Sequence, residues 1–491
     1  MKSDIINLSK DTLVYGTNYM ILRMLGIITM PILTRIFSPS DYGTREIIYV
    51  SINFLAVLIS LNINLGFSRY FFKQEDISYK RKAFSSSLII CLLISFVVIF
   101  FVLMFKTQFL KFLFKDVSTD YYSYLYISLL GIPFTLILER NLLLMRLLRK
   151  KIQFLVTNIF HALNNLTLII LLIVIFRLGL IGAFSATTIA SALSCIFSAF
   201  FVKDYFSVKI SSNILKNILL FSLPAFPSVI IDWFIKQSNN FFLLYYLSTS
   251  ALGLFAVSNK VGIVVLSLIG IFRLSFDPFA MSIMDQKDFP QRMIRIFEIA
   301  MVCSISLSLF IAISSKLIIR ILAPIQYFEA YKVVPVISFS YCLLFIGHFM
   351  GMRILAAEKT KFFSYISFGV LSAVMLSNFF IVPWLGIIGA ALVLYFGYAT
   401  RIVGQYLITS KVRKVNFPAM KYILQIIFYS AFMTIGYYFF TNLLYYILMV
   451  FTAISCFYIF NKNIIDKSVI LLCKYVKTRF SIGDIRMELH E

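Results

Sequence analysis

Long apolar runs without charge are the feature that most constrains this chain. Residues 87–105 (SLIICLLISFVVIFFVLMF) contain no charged side chain, and residues 166–176 form a second such run. A transmembrane helix needs about 20 mainly apolar residues, whereas a membrane β-barrel shows alternating segments of about ten residues. The 491 residues are 60% hydrophobic and 13% charged, and a soluble domain is about 25% charged. The sequence therefore predicts an all-α membrane protein with many spans.

Several functional classes are disfavoured by the remaining composition. The net charge of +24 is typical of a membrane protein whose cytoplasmic loops are rich in Lys and Arg, so it does not indicate nucleic-acid binding. The six cysteines and three histidines lack the spacing of a disulfide framework or a metal site. The chain has no phosphate-binding loop motif. We therefore expect no catalytic residues, no metal and no organic cofactor.

Hydropathy predicts about fourteen spans. Lys and Arg are concentrated in the loops on the side of the N-terminus, so both termini are predicted to lie in the cytoplasm and the protein in a cytoplasmic membrane. The predicted spans are residues 12–36, 44–66, 83–105, 122–145, 154–176, 180–202, 217–246, 251–283, 296–315, 331–352, 362–382, 385–408, 420–440 and 443–461.

A weak internal repeat organises these spans. Residues 178–183 (LGLIGA) resemble residues 385–390 (LGIIGA), and residues 37–43 parallel residues 247–253 at nearly the same offset. That offset covers six predicted spans, an even number, so the two copies share one orientation in the membrane. We predict a six-helix lobe at 1–210, a second at 211–410, and a terminal helix pair with a cytoplasmic tail at 411–491. Two parallel lobes with a cleft between them suit alternating access.

Short motifs in the predicted order carry a family resemblance. They are residues 8–16, 31–43, 252–260, 276–280, 358–361 and 386–391. With these motifs the chain resembles the Wzx-type polysaccharide flippases of the MATE-like superfamily, which move undecaprenyl-linked oligosaccharides. One departure is the sequence Ser238-Asn239-Asn240, because relatives often carry an acid–base dipeptide there.

The resemblance implies a bacterial inner-membrane transporter with a central, partly cationic cavity. Its substrate would be a lipid-linked glycan, and it would work beside a polysaccharide polymerase and chain-length machinery. It would need no cofactor beyond a coupling ion, either H⁺ or Na⁺.

Charged side chains inside the spans are the candidate site residues. Each costs about 2.5–3.5 kcal/mol at the centre of a membrane helix, so such residues usually face a cavity or a partner. Cations outnumber acids among them, which suits an anionic pyrophosphate. The predicted substrate-binding cations are Arg23, Lys260, Lys236, Arg273 and Arg401. We expect the pyrophosphate to pair with Arg23 and Lys260.

Three acids are the predicted coupling or gating residues: Asp232, Glu139 and Asp277. Asp232 with Lys236, and Arg273 with Asp277, are spaced i,i+4, so either pair could be structural. Arg140 directly follows Glu139, and we expect its long side chain to reach the interface.

The sequence therefore predicts a flippase for undecaprenyl-pyrophosphate-linked repeat units of O-antigen, capsule or a similar polysaccharide. An ion-coupled small-molecule antiporter of the same superfamily is the alternative. A membrane enzyme of polysaccharide assembly fits less well, because no loop is long enough to hold a catalytic domain.

Overall fold

The computed structural model describes residues 25–207, 211–283, 286, 288–356, 361–410, 418–439, 447–448, 450–462 and 464–466. Every regular element within these ranges is helical, which confirms the predicted all-α class. The candidate Arg23, the motif at 8–16 and most of the motif at 358–361 lie outside the described residues.

The predicted first lobe contains helices α1 to α8. They are α1 Leu25–Ile36, α2 Pro39–Ser60, α3 Ile63–Phe71, α4 Ile77–Met104, α5 Lys106–Leu113, α6 Thr119–Leu147, α7 Lys151–Ile169 and α8 Gly179–Val202. A π-helical turn at Ile170–Ile175 continues α7.

The predicted second lobe and the terminal segment contain helices α9 to α17. They are α9 Ser212–Ser222, α10 Phe226–Tyr246, α11 Thr249–Gly262, α12 Val264–Ser282, α13 Phe289–Leu322, α14 Val334–Ala356, α15 Lys361–Ser410, α16 Ala419–Phe439 and α17 Val450–Lys462.

Length and hydropathy identify 10 helices in the described chain that could each cross a membrane, or 11 if the pair α11 and α12, bent by 41°, forms one span. Helices α1 and α17 are shorter apolar helices. Helix α15 is long enough for two spans and breaks at Gly386, which has φ 57° and ψ −134°. This break lies two residues after the loop predicted at residues 383–384, at the start of the predicted span 385–408. The polytopic membrane class is confirmed, and the number fourteen stays a prediction.

The span predicted at 44–66 is present as α2, Pro39–Ser60, but it ends earlier than predicted because the chain turns after α2. Leu61 and Asn62 have positive φ values of 43° and 55°, a conformation that interrupts a right-handed helix. The turn lets α3 approach α9, where the main-chain N–H of Gly66 donates to Ser222 Oγ at 3.1 Å.

Helices α2 and α11 begin at matching positions of the sequence repeat, and both are capped by serine. Ser38 Oγ accepts a hydrogen bond from the N–H of Asp41 at 3.1 Å. Ser248 Oγ accepts one from the N–H of Ala251 at 3.2 Å. Such side chains satisfy main-chain donors that the first helical turn leaves free. The repeated sequence thus starts both helices in the same way.

The two predicted lobes touch at the end of the bundle where α2 and α11 begin. Ser40 Oγ and Thr249 Oγ1 are 2.7 Å apart. The side chain of Thr34 donates to the carbonyl of Leu322 at 2.9 Å, and the hydroxyl of Tyr327 donates to the carbonyl of Phe37 at 2.8 Å. By the predicted orientation this is the periplasmic end.

Candidate functional site

A cavity of about 910 Å³ lies among α10, α11, α12, α14 and α15. It is of the size that accommodates organic ligands, which usually occupy ~300–1,000 Å³. Its charged and strongly polar lining residues are Asp232, Lys236, Gln237, Asn239, Asn240, Asn259, Arg273, Asp277, His348, Arg401 and Gln405.

The cavity follows α12 from Ile263 to Met281. Met281 is close to the end of α12, and two more lining residues, Met352 and Phe363, lie at the end of α14 and the start of α15. The cavity therefore extends to the end of the bundle opposite the contact between α2 and α11. By the predicted orientation this is the cytoplasmic end.

Five of the eight predicted site residues share this cavity: Asp232, Lys236, Arg273, Asp277 and Arg401. Because they come from α10, α12 and α15, packing has brought together charges that are far apart in the chain. Three of the five are cations and two are carboxylates. Among these five residues the cations exceed the carboxylates by one.

Asp232 pairs with Arg401 rather than with Lys236. Its Oδ1 atom is 3.7 Å from Nη2 of Arg401, across the cavity. The i,i+4 pair with Lys236 does not form within the described chain. Lys236 is exposed and has no acidic partner among the described residues.

Asp277 contacts an arginine and a histidine. Its Oδ2 atom is 3.5 Å from Nε of Arg273, so this i,i+4 pair forms. Its Oδ1 atom is 2.8 Å from Nε2 of His348 on α14. Sequence reasoning missed His348, because an isolated histidine has no ligand spacing. The GxxxG pattern around it gives a partial signal, since Gly347 and Gly351 let α14 approach α15 closely.

Neutral polar residues join α10 to α15 beside the cavity. Ser238 and Asn239 are both 2% exposed. The amide of Asn239 donates to the carbonyl of Ala390 at 2.8 Å, and the amide of Asn378 donates to Ser238 Oγ at 3.2 Å. Asparagine and serine thus hold these helices together without an ion pair.

Two predicted site residues lie elsewhere. Lys260 is outside the cavity lining, and its Nζ atom is 5.2 Å from the ring centre of Tyr42 on α2. It therefore lies where the two lobes meet. Glu139 is exposed on α6, within electrostatic range of Tyr49 on α2.

The expectation for Arg140 was wrong. Its side chain is only 2% exposed, and it donates to Asn64 Oδ1 at 2.5 Å and to Cys91 Sγ at 3.1 Å. Helix α6 points this guanidinium into the first lobe, toward α3 and α4, and so away from the interface. Only the packing of α6 could have shown this, because the neighbouring Glu139 is exposed.

Several solved structures have a similar fold. The lipid II flippase MurJ in an inward closed conformation is 15% identical, with a TM-score of 0.72 over 92% of this chain and 100% of that chain. An inward-facing multidrug resistance MATE family transporter of the MOP superfamily is 14% identical, with a TM-score of 0.65 over 81% of this chain and 98% of that chain. The MATE transporter VcmN of Vibrio cholerae is 14% identical, with a TM-score of 0.61 over 83% of this chain and 98% of that chain. At these identities the likeness shows the fold alone, and these neighbours are transporters rather than enzymes.

The sequence itself gives the family. No curated protein matches this chain. Residues 8–274 match the profile of the family described as "Polysaccharide biosynthesis protein", which confirms the resemblance inferred from the motifs. Because this match spans more than half of the chain, the protein belongs to the polysaccharide biosynthesis protein family, with the fold of the MATE-like transporters.

Proposed function

We propose that this protein is a flippase for undecaprenyl-pyrophosphate-linked oligosaccharide repeat units. It carries the repeat units of O-antigen, capsule or a similar polysaccharide from the cytoplasmic to the periplasmic face of a bacterial inner membrane. One observation carries this proposal: a large cavity at the predicted cytoplasmic end in which Lys236, Arg273 and Arg401 face only two carboxylates.

Lys236 is the first phosphate contact in this mechanism. It is exposed and has no acid partner among the described residues, so binding a phosphate does not require it to leave another ion pair. Arg401 and Arg273 are held by Asp232 and Asp277 at 3.7 and 3.5 Å, and they complete a cationic wall around the headgroup. Arginine can grip a phosphate through two parallel hydrogen bonds.

The expected pairing of the pyrophosphate with Arg23 and Lys260 is revised accordingly. Lys260 contacts Tyr42 at the contact between the lobes. It is therefore better placed to meet the headgroup late in the cycle, after the lobes have separated at that end. Arg23 lies outside the described residues.

Alternating access supplies the translocation step. In the present conformation α2 and α11 are in contact at the predicted periplasmic end, while the cavity extends to the opposite end. Separation of α2 from α11 and closure around α12 and α14 would expose the headgroup to the periplasm. The polyprenyl tail would stay in the bilayer throughout, and a polymerase with its chain-length machinery would receive the glycan.

An H⁺ or Na⁺ gradient, or the membrane potential, would drive the cycle. Asp277 is the acid best placed to link a cation to cavity geometry, because it holds both Arg273 and His348. Any change in its charge alters two contacts between α12 and the cavity wall. Asp232 and Glu139 remain further candidates for coupling or gating.

The alternative is a small-molecule antiporter, since multidrug transporters share this fold. The cavity charge disfavours a cationic drug, because three cations line the cavity.

The test measures the sidedness of undecaprenyl-linked oligosaccharide in cells that lack this protein. We expect repeat units to accumulate on the cytoplasmic face and re-expression to release them. Lys236→Gln should slow the release, and Lys236→Arg should restore most of it. Lys115→Gln is the matched control, because Lys115 is exposed on a loop outside both cavities. Normal delivery of every lipid-linked glycan without the protein would overturn the proposal.

A further inference from the structure

A second cavity, of about 170 Å³, lies in the first lobe among α2, α6, α7 and α8. Its lining differs from that of the charged cavity, since its polar groups are mostly hydroxyls set among apolar residues. The residues that decide its chemistry are Arg45, Ser128, Thr135, His161, Thr187 and Thr188.

Four hydroxyls of this cavity donate their hydrogens to main-chain carbonyls. Ser128, Thr135 and Thr187 each donate to the main-chain carbonyl four residues earlier, at 2.7, 3.0 and 3.1 Å. Thr188 donates to the carbonyl of Ile127 at 2.9 Å. A hydroxyl has one hydrogen and two acceptor lone pairs, so these four groups present acceptors to the cavity. A ligand that donates several hydrogen bonds would fit this wall.

Donors stand opposite the acceptors. Arg45 is half-buried on α2 and forms no ion pair within the described chain, and its guanidinium carries five N–H groups. Tyr49, one helical turn further along α2, is 50% exposed and also lines the cavity. Phe184 adds an aromatic wall from α8.

This combination excludes simpler ligands. Arg45 would repel a metal cation, and the hydroxyl acceptors together with the nearby Glu139 would disfavour an inorganic anion. A compact molecule with both hydrogen-bond donors and acceptors can bind to the hydroxyl acceptors on one side of the cavity and to Arg45 on the other. Drug-sized ligands usually occupy ~300–1,000 Å³, so a cavity of about 170 Å³ has space for one sugar ring and no more.

The cavity is also next to the proposed substrate path. Asn53 lines it on α2, and its Oδ1 atom accepts a hydrogen bond from Nε1 of Trp233 on α10 at 3.3 Å. Trp233 directly follows Asp232, which lines the cationic cavity. The two cavities therefore lie on opposite sides of one contact between the lobes.

We propose that the first-lobe cavity binds one sugar unit of the lipid-linked glycan, while the cationic cavity of the second lobe holds the pyrophosphate. The inference rests on the proposed flippase function and adds to it the part of the glycan that each lobe contacts. The first lobe then contributes to the choice of glycan, and the second lobe recognises the headgroup common to all such substrates.

Trp233 supplies the readout. The chain has two tryptophans. Trp384 is 89% exposed, and it is far along the chain from the residues that line the first-lobe cavity. In purified full-length Trp384→Phe protein in nanodiscs, fluorescence reports on Trp233 alone. The probes are glucose, galactose, N-acetylglucosamine, N-acetylgalactosamine, rhamnose and glucuronate, each titrated separately, with sodium chloride and inorganic phosphate as comparisons. We expect saturable changes with at least one sugar and none with either salt.

Substitutions then locate the binding. Thr187→Val and Thr135→Val keep the side-chain volume and should raise the Kd about three- to tenfold, the usual effect of one lost hydrogen bond. Arg45→Gln should raise it about tenfold or more, because a charged donor is lost. Thr400→Val is the matched control, since Thr400 also donates to the carbonyl four residues earlier but lies outside both cavities. Equilibrium dialysis with the best sugar repeats the comparison without relying on Trp233.

The outcomes separate this inference from the proposed function. Sugar binding that weakens in the Thr187, Thr135 and Arg45 variants but not in Thr400→Val supports the inference. Absence of saturable sugar binding, an equal loss in Thr400→Val, or a response to salt alone overturns it. The flippase proposal is judged independently by the sidedness assay. Normal flipping without sugar binding would reject the sugar site alone, and sugar binding without flipping would reject the transport function alone.

Discussion

Gly43 on α2 and Gly253 on α11 hold the two predicted lobes together by a reciprocal contact. A Cβ atom on Gly43 would overlap the carbonyl oxygen of Thr249, and a Cβ atom on Gly253 would overlap the carbonyl oxygen of Pro39. The two glycines are at matching positions of the sequence repeat. The pseudo-symmetry of the sequence therefore becomes a pseudo-symmetric contact, in which each helix presses its first turn against the glycine of the other.

A methyl group at either glycine should open this contact. Overpacking of a tight interface costs about 1–3 kcal/mol, which corresponds to a shift of about 5–150-fold between two conformations. We expect Gly43→Ala and Gly253→Ala to favour the state that is open at the predicted periplasmic end. The measurement uses Thr34→Cys in a protein whose six native cysteines are replaced, because Thr34 is fully buried between the lobes. An impermeant maleimide should label it faster in spheroplasts that carry either variant.

Gly369→Ala is the matched control for that experiment, because a Cβ at Gly369 would meet no atom within 4 Å. It should leave the rate of labelling unchanged. Equal labelling in all three variants would show that the glycine contact does not set the conformation.

A disulfide between residues 40 and 249 should lock the same end shut. Ser40 Oγ and Thr249 Oγ1 are 2.7 Å apart, and a disulfide requires Cβ atoms about 3.5–4.5 Å apart. In the cysteine-free protein, Ser40→Cys with Thr249→Cys should crosslink on mild oxidation and stop glycan delivery. A reductant should restore delivery, and each single variant should be unaffected by oxidant. Full delivery by the crosslinked protein would mean that these helices need not separate during transport.

The pair formed by Asp232 and Arg401 should affect transport more than stability. Their side chains are 48% and 28% exposed, and ion pairs exposed to solvent contribute about 0–1 kcal/mol. We expect Asp232→Asn, Arg401→Gln and the double variant to fold at normal yield. Arg401→Gln should reduce glycan delivery several-fold, since a phosphate contact is lost. Melting of the purified proteins, measured beside delivery, distinguishes this from a loss of folded protein. Normal glycan delivery by Arg401→Gln would show that Arg401 does not bind the substrate.

The buried Arg140 should behave differently. Asn64→Leu removes the oxygen 2.5 Å from its guanidinium and should destabilise the protein by about 1.5–3 kcal/mol, because a buried charge loses its acceptor. Arg140→Met removes the charge itself and should be tolerated better. Thermal melting of both variants in detergent checks this order. If Arg140→Met lowers the melting temperature more than Asn64→Leu does, the guanidinium stabilises the lobe through contacts other than its hydrogen bond to Asn64.

The sequence predicted the class of fold and five of the charged residues that line the cavity. Lys236, Arg273, Arg401, Asp232 and Asp277 were identifiable because a charge within an apolar helix needs a polar environment. The sequence also predicted a loop at residues 383–384, two residues before the break at Gly386.

The pairing of charged side chains within the site could not be predicted from the sequence. Asp232 has Lys236 four residues away and yet pairs with Arg401, and Asp277 gains His348 from another helix. The small cavity was also missed, because its hydroxyl residues are unremarkable singly and become a site only where α6 and α8 meet.

The sequence by itself determined that this protein is a helical membrane protein with repeated helix starts and a cationic excess within its spans, since hydropathy and capping are properties of residues close together in the chain. Only the tertiary structure decided which charge meets which, that Arg140 is buried while the neighbouring Glu139 is exposed, and that two cavities of different chemistry lie in the two predicted lobes. The physical reason is that an ion pair or a cavity depends on the rotation and crossing of packed helices, which are set by contacts between residues far apart in the chain.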